Sequence, residues 1–130
     1  MSVIVAVSWG ELLDKISILE IKRERLSDPA QLANVAHEHA TLCAARDEAL
    51  PEGTDISESF RALRLVNETL WQIEDDIRDC ERAKDFGSRF VELARSVYIN
   101  NDERAAIKRQ INEALGSELV EEKSYADYRE

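Results

Sequence analysis

The most informative pattern in the sequence is a run of apolar residues near its middle, spaced alternately three and four residues apart. The run consists of Leu63, Val66, Leu70, Ile73, Ile77 and Cys80. This spacing places all of these side chains on one face of an α-helix and is typical of helices that pack lengthwise against other helices. A helix from Glu58 to Lys84 would be about 40 Å long at about 1.5 Å per residue. The pattern therefore predicts a helical bundle with one long central helix.

Capping signals predict a helical hairpin at the start of the chain. Ser8 and Glu11 form the capping box of a first helix over about residues 9–26, whose apolar residues fall on two sides. Asp28 and Pro29 start a second helix after a short break, so the two helices should run antiparallel. Because the first helix is apolar on two sides, it should pack against neighbours on both of them.

Two further helices are predicted in the last third of the chain. A fourth helix follows Gly87, where the breaker residue interrupts the preceding pattern. Asn100 with Glu103 is predicted to cap a fifth helix, and Gly116 is predicted to end it.

Together these elements predict an all-α fold, an antiparallel bundle of about five helices in one domain over residues 1–130. Residues 1–8 are predicted as a short N-terminal strand or extended arm, because their apolar side chains are β-branched or small. Residues 118–130 are predicted as a tail that docks on the bundle. The unpaired backbone of a lone strand needs a partner, which is either a second copy or the chain's own Leu119 and Val120.

The charge of the chain restricts its partners. It has 17 Lys and Arg against 27 Asp and Glu, a net charge of −10. Nucleic acids and anionic membranes repel such a chain, so neither is expected as a partner. The apolar run in residues 3–7 lacks a basic flank and is too short for a signal peptide or a membrane span, which favours a cytoplasmic location. The sequence contains no Gly-rich phosphate loop and no histidine pair at metal-ligand spacing, so no cofactor or metal is expected.

An acidic face on the long helix is the first candidate site. It carries Glu68, Gln72, Asp75 and Asp79, with Glu74 and Asp76 beside them. Hard cations such as Mg²⁺ bind grouped carboxylates, and all-α nucleotide pyrophosphohydrolases use helical clusters of this general kind. The paired Glu-rich motifs of those enzymes are not reproduced here, and Arg78 and Arg82 would neutralise the cluster. A solvated helix face is therefore the favoured interpretation.

A basic and polar region around the predicted fifth helix is the second candidate. It contains Arg95, Tyr98, Asn101, Arg104 and Lys108, followed by Arg109 and Asn112. Arg104 and Lys108 lie four residues apart beside a predicted helix N-terminus, whose free N–H groups add positive potential. Such a place suits a phosphate, a carboxylate or an acidic partner chain, and the segment starting at Glu121 could fold over it. The alternative is a helix junction whose polar groups satisfy one another.

The start of the first helix supplies a third group, Glu11, Asp14 and Lys15, next to Gly10. Glycine inside a helix costs roughly 1 kcal/mol relative to alanine, so Gly10 indicates either tight packing or the close approach of another group. We hypothesise that the second and third groups line one polar cleft between the first helix and the elbow of the last two. The competing hypothesis is a buried ion-pair network, Glu11 and Asp14 against Lys15 and Arg95, that only fixes helix packing.

The start of the first helix also resembles the opening signature of an uncharacterised bacterial and phage domain family. Residues 7–22 read VSWGELLDKISILEIK, and the family reads approximately V-S-x-G-E-L-[IL]-D-K-x-x-I-L-E-I-K. Residues 93–112 are similar to its second signature, so the likeness covers essentially the whole chain. The resemblance implies kinship rather than chemistry, and it points away from the acidic face. The residues that match the family's motifs are Glu11, Asp14, Lys15, Glu20, Arg95, Tyr98, Asn101, Arg104 and Lys108.

Three functions follow as expectations. The first is a non-enzymatic helical interaction or accessory module that forms a homodimer, indicated by the long helix, the N-terminal strand or arm and the lack of a catalytic motif. The alternative is an enzyme or binding protein for a small anionic ligand, phosphorylated or nucleotide-sugar-like, held by the second and third groups. The second alternative is a magnesium-dependent nucleotide pyrophosphohydrolase that uses the acidic face. The expected partners are a second copy and a small anionic ligand or another protein.

Overall fold

The computed structural model describes residues 1–129, which form an all-α structure of four helices without a strand. Helices account for 71% of it. Their bounds are α1 Trp9–Arg25, α2 Pro29–Ala49, α3 Ser57–Arg82 and α4 Ser88–Ala114. The prediction of an all-α fold is confirmed, and the arrangement is compatible with a helical bundle. No helix within residues 1–129 is both long and apolar enough to cross a membrane.

The first two helices begin at the residues that the capping signals predict. Ser8 Oγ accepts a hydrogen bond from the Glu11 N–H at 3.1 Å, and Asp28 Oδ2 accepts one from the Gln31 N–H at 3.0 Å. Pro29 occupies the first turn of α2, where its missing N–H costs nothing. Each cap satisfies a backbone donor that has no partner inside its helix.

The predicted break at Asn100 is wrong, since α4 runs through it as one helix of 27 residues. Asn100 Nδ2 donates to the Ser96 carbonyl oxygen at 2.8 Å, a bond that an asparagine makes from within a helix. No Gly or Pro lies between Ser88 and Ala114, so nothing in this stretch forces the backbone out of the helix. Within the described chain there are thus four helices rather than five, and there is no elbow between the last two.

The central helix is the short α1 rather than the long α3. α1 packs against α2, α3 and α4, whereas among residues 1–129 α2 packs against α1 alone. Leu13 of α1, Leu63 of α3 and Ile111 of α4 meet in one buried cluster. The apolar stripe of α3 faces this core, although Ile77 within it is only partly buried. A helix apolar on two sides is the one that three neighbours can surround, whatever its length.

Neither end of the described chain joins a sheet. Residues 1–7 form an exposed segment without helix or strand, so of the two alternatives predicted there, a strand or an extended arm, the strand does not form. Their main chain makes no hydrogen bond to Leu119 or Val120 within the described residues, and the internal pairing is therefore absent. Residues 117–129, here called the tail, also lack regular structure. The tail lies against α4, where the rings of Tyr98 and Tyr128 pack edge to face with centroids 5.1 Å apart.

Candidate functional site

The first turn of α1 lies directly against the last turns of α4, and Gly10 makes this approach possible. The Gly10 N–H donates to Asn112 Oδ1 at 2.7 Å. A Cβ built at Gly10 would lie 2.6 Å from the Lys108 carbonyl oxygen, closer than side-chain carbons come to backbone oxygens. The absence of a side chain therefore lets α1 and α4 bring their polar side chains together. Of the two interpretations of Gly10, tight packing is the one this contact supports.

Asp14 is the most deeply buried charged residue of this region, with 1% of it exposed. Arg104 Nε donates to its Oδ1 at 2.9 Å, and Arg104 Nη2 pairs with its Oδ2. Asn67 Nδ2 of α3 donates to the same Oδ1 at 2.9 Å and to Ser17 Oγ at 2.8 Å. The hydrogen bond from Arg104 to Asp14 raises the pKa of the guanidinium against the opposing effect of burial. The carboxylate thus accepts three hydrogen bonds from two side chains and ties α1, α3 and α4 together.

Lys108 forms a second ion-pair centre one helical turn further along α4. Its Nζ donates to Glu11 Oε2 at 2.8 Å and to Glu121 Oε2 of the tail at 3.0 Å, and it lies 4.0 Å from Asp14 Oδ2. Its side chain is only 10% exposed. Burial by itself lowers the pKa of the ammonium, but the hydrogen bonds to Glu11 and Glu121 outweigh it and the net pKa is raised. The hydrogen bond from Lys108 in turn lowers the pKa of Glu121.

These side chains surround a small cavity of about 230 Å³ between α1, α4 and the tail. Four of the predicted site residues line it, namely Glu11, Asn101, Arg104 and Lys108. Glu121 and Lys123 close it from the tail, as expected for a segment that folds over this region. Most of the cavity wall is polar, and its two helix-borne cations, Arg104 and Lys108, are both held by carboxylates of the same chain. An anionic group that bound to either cation would have to replace one of those carboxylates.

The other predicted residues lie beneath or outside this cavity. Asp14 lies beneath it, bound to Arg104. Lys15 is exposed and lies 3.7 Å from Glu11 Oε1. Tyr98 lines a separate groove of about 510 Å³ that shares Asn101 with the cavity. Arg95 is exposed, and it makes no hydrogen bond or ion pair to any residue from 1 to 129. In the ion-pair network postulated from the sequence, Lys15 thus pairs with Glu11 as expected, but Arg104 and Lys108 take the place of Arg95.

Two asparagines of this site are buried, of which Asn112 belongs to the second candidate region of the sequence and Asn67 was not singled out. Asn67 and Asn112 are 5% and 4% exposed, and each binds a polar group of α1. Asn67 follows Val66 directly in the apolar stripe of α3, where a polar residue next to the core indicates a buried partner. Asn112 is equally adjacent to the buried Ile111. That adjacency is the signal that could have identified Asn67 as well.

The acidic face of α3 is neutralised by arginines. Glu74 pairs with Arg78, Asp79 Oδ1 lies 3.3 Å from Arg82 Nη2, and Glu68 Oε1 accepts from Arg64 Nε at 3.1 Å. Among the residues that the structure describes, no group of three or more His, Cys, Asp or Glu side chains is arranged to hold a metal ion. The magnesium-dependent alternative therefore gains no support from this face.

Comparison with known proteins identifies a family without assigning an activity. No curated protein and no solved structure is significantly similar to the chain. The sequence pattern of a family of unknown function, DUF6165, matches residues 3–128 and so covers nearly the whole chain, including every element of the site described above. This agrees with the expected kinship to an uncharacterised domain family. The chain belongs to DUF6165, a family of unknown function.

Proposed function

We propose that the chain is a non-catalytic helical interaction module that forms a homodimer through its N-terminal arm, residues 1–7. The observation that carries this proposal is the exposure of the apolar side chains of the arm. Val3 is 87% exposed and Ile4 is 95% exposed, and Val5 and Val7 are exposed as well. Adjacent exposed apolar residues are costly in water and commonly mark a surface that binds another protein.

A second apolar segment begins beside the base of the arm. The Trp9 N–H donates to Ser117 Oγ at 2.9 Å, which holds the start of the tail against the start of α1. Leu119 and Val120 follow shortly after Ser117 and are both about half exposed. The arm and the start of the tail can therefore contribute to one apolar contact surface.

A second copy of the arm is the partner that this surface fits best. Between Ser2 and Ser8 the arm carries no charged side chain, so two arms can meet although each chain has a net charge of −10. Val and Ile have high strand propensity, and two identical arms related by a two-fold axis can pair antiparallel. Each arm would then satisfy the backbone N–H and C=O groups of the other.

Light scattering after size-exclusion chromatography tests this proposal. One chain has a mass of 14.8 kDa, and we expect the full chain to elute with twice that mass. The double substitution Val3→Asp and Val5→Asp should yield a monomer, because it places like charges in the paired arms. Val91→Asp is the matched control, since Val91 is also an exposed valine but lies on α4, and its dimer should persist.

Salt provides an independent check on the same proposal. Because each copy is strongly acidic, screening of their mutual repulsion should tighten the dimer as the ionic strength rises. A monomer mass at every accessible concentration would contradict the proposal. A dimer that survives the double substitution in the arm would place the interface on another surface and reject the arm as its cause.

A further inference from the structure

We infer that the cavity between α1, α4 and the tail is an anion-binding site, and that Glu121 occupies the position of the carboxylate or phosphate group of a small molecule. This inference does not depend on dimer formation. It follows from which part of the chain supplies each charge around the cavity.

Helix α4 supplies three cations of this region and the tail supplies a fourth, Lys123, whereas two of the carboxylates that pair with the α4 cations come from the tail. Arg104, Lys108 and Arg109 all lie on α4. Glu121 accepts a hydrogen bond from Lys108 Nζ at 3.0 Å, and Glu122 accepts one from Arg109 Nη2 at 3.0 Å. The tail therefore pairs with Lys108 and Arg109 through carboxylates, which is the chemistry expected of an external anionic ligand.

Removal of the tail carboxylates leaves a local excess of positive charge. Arg104 and Lys108 would then keep only Asp14 and Glu11 of α1 as ion-pair partners among the described residues, and Arg109 would lose its ion pair with Glu122. Lys108 would also lose one of the two oxygens that it binds at hydrogen-bond distance. Because the Lys108 side chain is only 10% exposed and its Nζ faces the cavity, an anion that enters the cavity restores the lost bond.

The bond to Glu121 is the one that a ligand can exchange. The Glu121 side chain is half exposed and lies in a segment without helix or strand. Exposed ion pairs of this kind stabilise a structure only weakly. In contrast, Asp14 is buried and joins three helices through Arg104 and Asn67, so its displacement would disrupt the bundle. The tail can therefore give way while the helix-borne cations stay in place.

The tail also divides the space that a ligand would need. On one side of Glu121 lies the cavity of about 230 Å³, and on the other lies a cavity of about 290 Å³ that reaches Arg109. Lys108, Glu121 and Lys123 line both cavities, so the tail residues form the partition between them. Taken together, the two cavities fall within the size range of ordinary small-molecule sites.

Titration of the full chain with inorganic phosphate and, separately, with succinate tests the inference. Both probes are added at constant ionic strength, and binding is followed by isothermal calorimetry and by amide NMR shifts. Glu121→Gln removes the internal carboxylate at nearly constant volume, and we expect it to bind the preferred probe about two- to five-fold more tightly than the wild type. Glu118→Gln is the matched control, because Glu118 is an exposed tail glutamate that lines neither cavity, and its affinity should equal that of the wild type.

A second variant separates binding from folding. Arg109 is half exposed, so Arg109→Gln should fold normally while binding the probe several-fold more weakly. Preference for phosphate would assign a phosphate ester as the ligand, and preference for succinate would assign a carboxylate. The inference is overturned if Glu121→Gln binds neither probe more tightly than the wild type, or if Arg109→Gln binds as well as the wild type. A monomer mass in light scattering would leave it intact, so its failure and that of the dimer are distinguishable.

Discussion

Replacement of Gly10 by alanine should destabilise the protein, although alanine is the better helix former. The new Cβ would lie 2.6 Å from the Lys108 carbonyl oxygen and 3.0 Å from Asn112 Oδ1. The nearest atom belongs to the backbone of α4, so relief of the overlap requires the two helices to separate. Overpacking of this kind costs about 1–3 kcal/mol. The separation also weakens the 2.7 Å hydrogen bond from the Gly10 N–H to Asn112, which contributes about 1 kcal/mol.

The gain in helix propensity offsets up to about 1 kcal/mol of this cost. We therefore expect the free energy of unfolding to fall by about 1–3 kcal/mol, measured by urea denaturation and far-UV circular dichroism. Gly53→Ala is a useful control, because Gly53 has a φ of +82° and open space around it. Its cost of about 1 kcal/mol comes from the left-handed backbone alone, without helix displacement. If Gly10→Ala is as stable as the wild type, α1 and α4 do not approach as described.

Two further predictions concern the ion pairs of the site. Asp14→Asn should lower the free energy of unfolding by about 3 kcal/mol, because it leaves a partly buried guanidinium without its anion; thermal denaturation checks this, and a loss below about 1 kcal/mol would contradict it. The hydrogen bond from Lys108 lowers the pKa of Glu121 from 4.5. The ionised Glu121 carboxylate therefore stabilises the fold above about pH 4.5, and this stabilisation is lost as the pH falls through the lowered pKa. The stability difference between wild type and Glu121→Gln should therefore be constant near neutral pH and shrink in acid, and a difference independent of pH in urea titrations would refute the pairing.

The fold was predictable where the determinants are local. The caps at Ser8 and Asp28 act over three residues, so the sequence reveals them directly. The same reasoning was wrong at Asn100. An asparagine begins a new helix only where the backbone before it is not helical, and here the Asn100 side-chain amide donates to the Ser96 carbonyl within a continuous helix. The central place of α1 depends on how all four helices pack, which the length of the α3 stripe does not determine.

The site was predictable in part for a related reason. The spacing of Arg104 and Lys108 places both on one face of a helix, and the structure brings both to α1. Which cation meets Asp14 depends on the angle and depth at which α4 crosses α1, and this is set by the contact at Gly10. Arg95 lies more than two turns before Arg104 and is exposed, so charge pattern alone assigned the wrong partner.

The attachment of α2 gives the molecule two levels of stability. Of the 21 residues of α2, all of which the structure describes, only Val35 is buried. Because α2 packs against α1 alone among the described residues, its backbone hydrogen bonds can open without disturbing the contacts of α1 with α3 and α4. Partial unfolding should therefore begin at α2 and leave a three-helix core that retains Asp14, Arg104 and Lys108. The backbone amides of α2 can then exchange hydrogen with solvent, and α2 can tolerate substitutions, while the ion pairs of the site stay intact.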